Sequence, residues 1–585
     1  MTYFEFCKKY NISLNPEQEK AVLKTNGPGL MVSVPGSGKT TVIITRIAYM
    51  IMCEKIPPEK ILTVTFSTDA ASSMRERFYS QYGSQITGKM PEFRTIHSIA
   101  LNIVKMYCSL HNKIPDKILE NGEYILRDIF FKEGTNAVED RGVREALNYI
   151  SKNKNLMQPV PDISISGLSL ISVSDKYEKY KKEHGFMDFD DILIYALKIL
   201  ESCPDILEIW QDRFHYFNVD EAQDNSKIQN SIMNALSSRF GNLFMAGDED
   251  QCIYGFCGAY PQAFFEFEDK WGRENIIKLQ TNYRSCDQIL TAAETFINRN
   301  KNRYPKSLAG VKQSPGKIDV KHFNTYPERN KYILKDMKKY NTAAVLSRNN
   351  DSLISAAYTL WKNSVSFRIK PGKNDFFSSF IYRDITDILE AAVKKQYSSL
   401  PAHLKYIIKN DNRISRIRYY KPKDSLRYIL YSIGYSEYLI SMLGRGCSVQ
   451  GICSKLNILE TILNDCQSII EFLDIAKKLK NICSSGSDKG NISLFTCHGS
   501  KGLEFDKIYI IDVLDKVFPS CDNITDTSSE SCSEQEEEVR LFYVALTRAR
   551  EEAEILNVKN SYWGISLPSI FVKDIEREIL GNEKK

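Results

Sequence analysis

No run of about 18 apolar residues occurs anywhere in the 585-residue chain, so a helix long enough to cross a bilayer is not expected. The N-terminal stretch MTYFEFCKKYN lacks the apolar segment of a secretory leader. None of the 14 cysteines forms a CxxC pair. The nearest spacings, Cys252/Cys257 and Cys447/Cys453, are wrong for a zinc ribbon. Scattered thiols of this kind suit a reducing compartment, and a soluble, cytoplasmic protein is expected. A strong excess of one charge is missing too. The 78 Lys and Arg against 73 Asp and Glu leave +5, compatible with a polyanionic partner and diagnostic of none. No short-period repeat is visible.

What is present is an alternation of short apolar runs and amphipathic helical patterns. The length suggests about three or four units at roughly 100–200 residues each. GLMVSV (29–34), ILTVTF (61–66), HYFNVD (215–220) and NLFMAGD (242–248) read as buried strands with helices between them. That pattern predicts a parallel α/β sheet, with ligands at the carboxyl ends of its strands. KIDVKHF, TAAVLS, NISLFT and KIYIIDV form a second such series. Two polar, helix-like blocks interrupt them. The expected layout is a first core over 1–101 and 187–277 with an insertion at 102–186. A second core over 278–375 and 489–585 carries an insertion at 376–488. The acidic, serine-rich run TDTSSESCSEQEEE (525–538) is expected to begin as a mobile loop.

Three segments carry chemistry. In VPGSGKTT (34–41), Gly36 and Gly38 allow a tight turn whose N–H groups face phosphate oxygens, at the positive end of the following helix. Lys39 can reach the β- and γ-phosphates, and Thr40 can hold Mg²⁺. Ser33 stands where the strict GxxxxGK pattern has glycine, so the loop is a variant. In NVDEAQDNS (218–226), Asp220 can hold Mg²⁺ through water and Glu221 can orient and deprotonate an attacking water. TNYRS (281–285) and FYVALTRARE (542–551) offer arginines in the second α/β series. Such arginines can place positive charge on a transferring phosphoryl group, which would make ATP a bridge between two domains.

These segments belong to a longer ordered set. LNPEQEKAV (14–22), SVPGSGKTT (33–41), TFSTDAASSM (65–74), TIHSIA (95–100), VDEAQD (219–224), GDEDQCIYGFCGA (247–259), LQTNYRS (279–285), HGSKGLEF (498–505) and EEEVRLFYVALTRAR (536–550) follow one another. In that order they resemble a UvrD/Rep-type superfamily 1 DNA helicase. The resemblance implies two RecA-like parallel-sheet cores, each with a mostly helical insertion, and ATP with Mg²⁺ as the fuel. It implies 3′-to-5′ movement on single-stranded DNA, including single/double-strand junctions. Matching positions then acquire roles. Residues Ser33, Val34, Pro35, Gly36, Ser37, Gly38, Lys39, Thr40 and Thr41 would form the phosphate loop. Gln18 would read the adenine edge and Tyr283 would stack on the base. Asp220 and Glu221 would serve metal and water, and Gln251 would sense the γ-phosphate. Arg284 and Arg548 would act from the second core, where Gly502 and Glu504 would contact the nucleotide. Phe66, His97, Tyr254 and Phe256 would lie along the strand, since aromatic stacking is tolerant of sequence.

The chain departs from the family at several points. Thr41 stands where many members have an arginine beside the base. Thr68-Asp69 replaces Asn-Lys, Phe256 replaces tryptophan and Cys257 replaces arginine. Each change removes charge or stacking area near the strand, which implies weaker grip or contacts moved elsewhere. The 376–488 block is shorter than the family's usual insertion, so duplex engagement is the transfer least supported by the residues. MDFDDIL (187–193) reads as a capped helix start, and His97 reads equally as a core histidine. Only 35 residues follow Arg550, too few for a nuclease domain, so any nuclease is expected on another chain. A regulatory or motor subunit beside a nuclease, as in DNA repair or antiphage defence complexes, is the alternative that follows.

Overall fold

The computed structural model describes residues 1–86, 88–133, 140–312, 314, 316–371, 375–409, 411–443, 448–520, 529–561 and 564–583. Its first sheet grows from runs that are apolar at nearly every position. Gly29–Ser33 (β1) and Ile61–Thr65 (β2) are buried throughout. Glu92–Thr95 (β3) alternates between buried and half-buried, as an outer strand does. Tyr216–Val219 (β4), Leu243–Gly247 (β5) and Ile276–Leu279 (β6) complete the set. The order is β6-β1-β5-β4-β2-β3, and every neighbouring pair is parallel. Continuous apolar strands of this kind occur in parallel sheets because helices cover both faces.

The chain divides into two units. The first holds Met1–Tyr283 and Asn302–Ala309, the second Arg284–Lys301 and Gly310–Lys585. The boundary expected at 277/278 lies six residues before the end of the first unit's main segment. It falls inside β6, which pairs with β1 through Met31↔Ile277, Val32↔Lys278 and Ser33↔Leu279. The hydrogen-bond ladder along β1 keeps this strand, and the residues up to Tyr283, with the first sheet.

The helices that matter for the site are Pro16–Leu23 (α1), Lys39–Met52 (α2), Thr68–Tyr82 (α3) and Ile96–Leu110 (α4). Helix α4 runs across the boundary expected at 101/102. Beyond it, Asp140–Leu156 (α5) and Leu170–His184 (α6) pack with Glu123–Lys132 around Leu126, Phe130 and Tyr177. Two-residue strands such as Lys117–Ile118 and Phe186–Met187 also occur in this mostly helical segment. The chain re-enters the sheet layer through Phe189–Ser202 (α7), capped by Asp188 in a reciprocal box with Asp191.

In the second unit Lys317–Phe323 (β7), Ala343–Ser347 (β8), Phe367–Ile369 (β9), Ser487–Asp488 (β10), Ile492–Thr496 (β11), Phe505–Ile511 (β12) and Ala549–Val558 (β13) form a sheet. The order is β7-β13-β12-β8-β11-β9-β10, parallel except for the β9–β10 pair. Strand β13 was not anticipated, yet it lies between β7 and β12. Its charged start, Arg550 to Glu552, hides the apolar ILNV that follows. The helices from Asp375 to Ser485 share one apolar core with the sheet's own helices, joining Ile385, Leu456, Leu459 and Phe472 to Leu353 and Ala357. Residues 525–528, where the acidic run was expected to form a mobile loop, lie outside the described residues; Ser529–Leu546 is helical (α8). Among the described residues no helix is long and apolar enough to cross a membrane, and the cysteines whose side chains are described, Cys7 to Cys286 and Cys453 to Cys497, are free thiols.

Candidate functional site

Because the strands of the first sheet are parallel, the segments following β1, β2, β4 and β5 emerge at one edge. Between β1 and α2, Val34–Gly38 makes a tight turn. Gly36 and Gly38 have φ of +67° and +80°, and a Cβ on Gly38 would come within 3.1 Å of Gln18 Nε2. The loop is fastened from behind. Val34 N–H donates to Leu279 O (2.9 Å), Asn282 Nδ2 to Pro35 O (2.5 Å) and Tyr283 N–H to Gly36 O (3.0 Å). Ser33 Oγ donates to Gly247 O at 3.0 Å, linking the loop's root to β5. This fastening leaves the first N–H groups of α2 for an anion. Ser37 Oγ is buried with no hydrogen-bond partner among the described residues. Thr40 and Thr41 follow Lys39 in the first turn of α2, and Arg77 of α3 donates to Thr41 Oγ1 at 3.5 Å.

Lys39 Nζ lies 2.8 Å from Glu221 Oε1 and 3.8 Å from Asp220 Oδ1. Burial works against the ammonium, but Glu221 and Asp220 outweigh it and hold its pKa above the ordinary lysine value. Burial also pushes Asp220 up to about 6, with Lys39 pulling down and Glu221 pushing up. Asp220 is anchored by its N–H to Val64 O at 2.9 Å, and its Oδ1 accepts the Glu221 N–H at 3.0 Å. Glu221 has φ +53°, a left-handed conformation uncommon for a non-glycine residue. After β5, Gln251 is buried and its Nε2 donates to Asp248 Oδ2 at 2.7 Å. The structure thus brings Lys39, Asp220 and Glu221 into direct contact.

Gln18, at the third position of α1, spends Oε1 on Asn15 N–H (3.1 Å) and one Nε2 hydrogen on Ser37 O (2.9 Å). Its second amide hydrogen remains for a ligand. The Tyr283 ring is partly exposed, and its hydroxyl accepts from Asn15 Nδ2 at 2.9 Å. Phe66 and Tyr254 stack with centroids 5.2 Å apart and planes 12° from parallel; Phe256 lies 6.1 Å beyond Tyr254. His97 is half-buried, edge-on to Phe189 at 6.4 Å, with its pKa lowered by burial. Its surroundings are those of a packed residue at least as much as of a strand contact.

In the second unit, Arg284 Nε donates to Glu504 Oε2 at 2.7 Å and Nη1 to Thr547 O at 3.3 Å. Arg550 pairs with the other oxygen of Glu504 and, at 3.3 Å, with Asp506. Burial raises the Glu504 pKa, but these two arginines bring it below the usual carboxylate value. Gly502 has φ +80° with open space where a Cβ would be. Arg548 is 1% exposed, its guanidinium donating to Val544 O (2.8 Å), Leu503 O (3.3 Å) and Thr547 Oγ1 (3.1 Å). Arg284 and Glu504 are brought together; Arg548 turns into backbone carbonyls of its own unit.

Residues 14–272 match the UvrD/REP helicase N-terminal domain. Residues 277–421 and 452–559 match the UvrD-like helicase C-terminal domain. YjcD of Bacillus subtilis (strain 168) is 30% identical over 92% of this chain and 78% of its own length. The chain belongs to the UvrD/Rep helicase family. ATP-dependent DNA helicase PcrA of Staphylococcus epidermidis is 27% identical over 97% of this chain and 87% of its own. PcrA of Staphylococcus aureus (strain Mu50) gives the same figures.

Within this UvrD/Rep chain the sequence reading missed several residues beside those it singled out, Gln223 and Asp248 in the first unit and Arg550 in the second. Gln223 is fully buried and reaches both Glu221 and the N–H of Asp248. Asp248 holds Gln251, and Arg550 shares Glu504 with Arg284. Gln223 and Asp248 lie inside motifs that had been quoted, VDEAQD and GDEDQ, but only their neighbours had a chemical reason to be singled out. Arg550 was one of two arginines in TRAR, and residue type alone does not choose between them.

Proposed function

We propose that this chain is an ATP-dependent DNA helicase or translocase that moves 3′ to 5′ on single-stranded DNA. One observation carries the reading. A lysine at the mouth of a glycine loop contacts a carboxylate pair, Asp220 and Glu221, at the carboxyl edge of a parallel sheet. That is the arrangement phosphoanhydride hydrolysis needs: a cation for the phosphates and a carboxylate for the water. Lys39 and the N–H groups of residues 36–41 bind the triphosphate, and in doing so Lys39 gives up Glu221 Oε1, which turns to water. Gln18 and Tyr283 face the base. Arg284 and Arg548 supply positive charge to the transition state, which requires Arg548 to exchange backbone carbonyls for phosphate.

The donors near Lys39 also fit Mg²⁺. The Asp220 carboxylate and the Thr40 hydroxyl are hard oxygen ligands, the kind Mg²⁺ takes alongside substrate phosphates. Bound there, Mg²⁺ supplies further positive charge to the phosphate oxygens. Phe66, Tyr254 and Phe256 offer exposed or partly exposed ring faces to the bases of a single strand, with His97 at the margin of this row. The helical segments 102–186 and 376–488 act as insertions carried by the two cores.

The test is ATP hydrolysis with no DNA, with single-stranded DNA and with tailed duplexes. Hydrolysis stimulated by single-stranded DNA and abolished by Lys39→Ala is expected. Equal rates with and without DNA, or a fully active Lys39→Ala protein, would sink the proposal.

A further inference from the structure

The segment Asn302–Ala309 belongs to the first unit, although the chain on both sides of it belongs to the second. Its attachment is ionic and buried. Lys306 Nζ lies 2.6 Å from Asp248 Oδ1, 2.9 Å from Glu249 Oε2 and 3.0 Å from Asp250 Oδ2. Arg303 grips Asp250 through Nε (3.0 Å) and Nη2 (2.8 Å). The Tyr304 N–H donates to Glu249 Oε1 at 2.8 Å. Burial pushes Glu249 up to about 7 while Lys306 pulls it down. For Lys306 itself burial is outweighed by the three carboxylates, so it stays charged.

A buried charge cluster of this kind has a plain structural use, since it fastens one segment to another. Its neighbours argue for more. Asp248 takes Lys306 on one oxygen and Gln251 Nε2 on the other, at 2.7 Å. The Asp248 N–H donates to Gln223 Oε1 at 3.0 Å. Gln223 Nε2 donates to Glu221 Oε2 at 2.6 Å, and Glu221 Oε1 meets Lys39 at 2.8 Å. A continuous line of short polar contacts therefore runs from Lys306 to the carboxylate and lysine of the phosphate loop. Gln223 packs tightly on Gly247, where a Cβ would fall 2.3 Å from Gln223 Oε1.

We propose that Lys306 is a positioning residue for ATP hydrolysis, acting through Asp248 on Gln251 and, by way of Gln223, on Glu221. The proposal rests on reading this edge as an ATPase centre. Lys306 touches no reacting atom. It fixes the rotamer of Asp248, and Asp248 fixes the amide of Gln251 and the turn that Gln223 reads. Arg303 holds the same 302–309 segment through Asp250, a carboxylate to one side of the line.

The test compares Lys306→Ala, Lys306→Arg, Arg303→Ala and Gln223→Met in the full chain, with single-stranded DNA present. Lys306→Ala is expected to lower kcat for ATP about tenfold or more while KM moves less than about threefold, as loss of an outer positioning contact does. Lys306→Arg should recover most of that kcat. Arg303→Ala should lower the melting temperature yet leave kcat within about twofold, because no positioning contact is lost. If Lys306→Ala fails to fold, Gln223→Met cuts the line at its middle with Lys306 still paired, and the same fall in kcat at steady KM is expected. Unchanged kcat in Gln223→Met, or kcat losses in Lys306→Ala and Arg303→Ala that simply follow their melting temperatures, would overturn the proposal. A wild-type chain with no DNA-stimulated hydrolysis would instead remove the ATPase reading beneath it.

Discussion

Glu221 shows how a single backbone angle serves a site. Its left-handed φ of +53° follows directly after β4, and the Asp220 carboxylate that receives its N–H keeps the turn closed. Two adjacent carboxylates thereby face one lysine instead of alternating across a strand. If Glu221 prepares the water, Glu221→Gln should retain ATP binding, with KM within about threefold, and lose kcat by about a hundredfold or more. Measured turnover with single-stranded DNA decides it; a modest loss would move the base elsewhere. The stacked pair Phe66 and Tyr254 makes a second residue-scale prediction. Either ring changed to alanine should weaken single-stranded DNA binding by about 1–3 kcal/mol, equally on different sequences, as stacking does. Base-dependent losses in titrations with homopolymers would contradict it. Residues of this kind were legible in the sequence because chemistry fixes their type and their spacing within a few positions. Lys306 was not: a lysine in NRYPKSL looks like any solvated one, and only the fold shows it beside Asp248, Glu249 and Asp250.

At the scale of elements, α7 joins the insertion to the sheet layer, and its start is where charge is concentrated. Asp188 caps the helix and pairs with Lys181 at 2.6 Å and Lys154 at 3.2 Å; Asp191 accepts from the same two lysines. Glu178 converges on them, so three carboxylates meet two ammonium groups, which offset most of the negative charge. Burial alone would raise the Asp188 pKa, but Lys154 and Lys181 bring it down to about 2. The unfolded value is about 3.9, so this group contributes stability above that pH and loses it as pH falls toward 2. The contribution at neutral pH is on the order of 2 kcal/mol. Urea melts from pH 6 to 2 should show it: wild type loses stability more steeply below about pH 4 than Asp188→Asn does. Parallel slopes would mean the pairs carry no net coupling. The cap itself could be read from MDFDDIL, whereas the lysines that set its pH dependence lie on α5 and α6. Strands behaved similarly. Those made of unbroken apolar residues, β1, β2, β5 and β8, were visible in sequence. Strands β6 and β13 were not, one because it is short and sits at a domain boundary, the other because Arg550, Glu551 and Glu552 mask its start.

At the scale of the molecule, a motor must hold a strand firmly enough to pull it and loosely enough to let it pass. A net charge of +5 over 585 residues gives little general attraction, so on the proposed reading grip depends on local contacts along the row of rings. Two departures from the family bear on that row. Asp69 lies in the first turn of α3, where an acidic side chain favours the positive helix end by about 0.3–1 kcal/mol, a gain for the helix at the strand's expense. Cys257 is exposed in the turn after Tyr254 and Phe256, offering neither charge nor a hydrogen-bonding fork. Restoring a cation there is the more direct experiment, because Cys257 has no capping duty to lose. Cys257→Arg is expected to tighten single-stranded DNA binding and to steepen the dependence of log K on log salt by about 0.7 for one added phosphate contact. If grip limits movement, unwinding of a 3′-tailed duplex should become more processive while ATP turnover without DNA stays the same, and a 5′-tailed duplex should remain intact. Tighter binding with slower unwinding would point the other way: release of the strand, not its capture, would set the pace, and the cysteine would be the residue that keeps this motor fast.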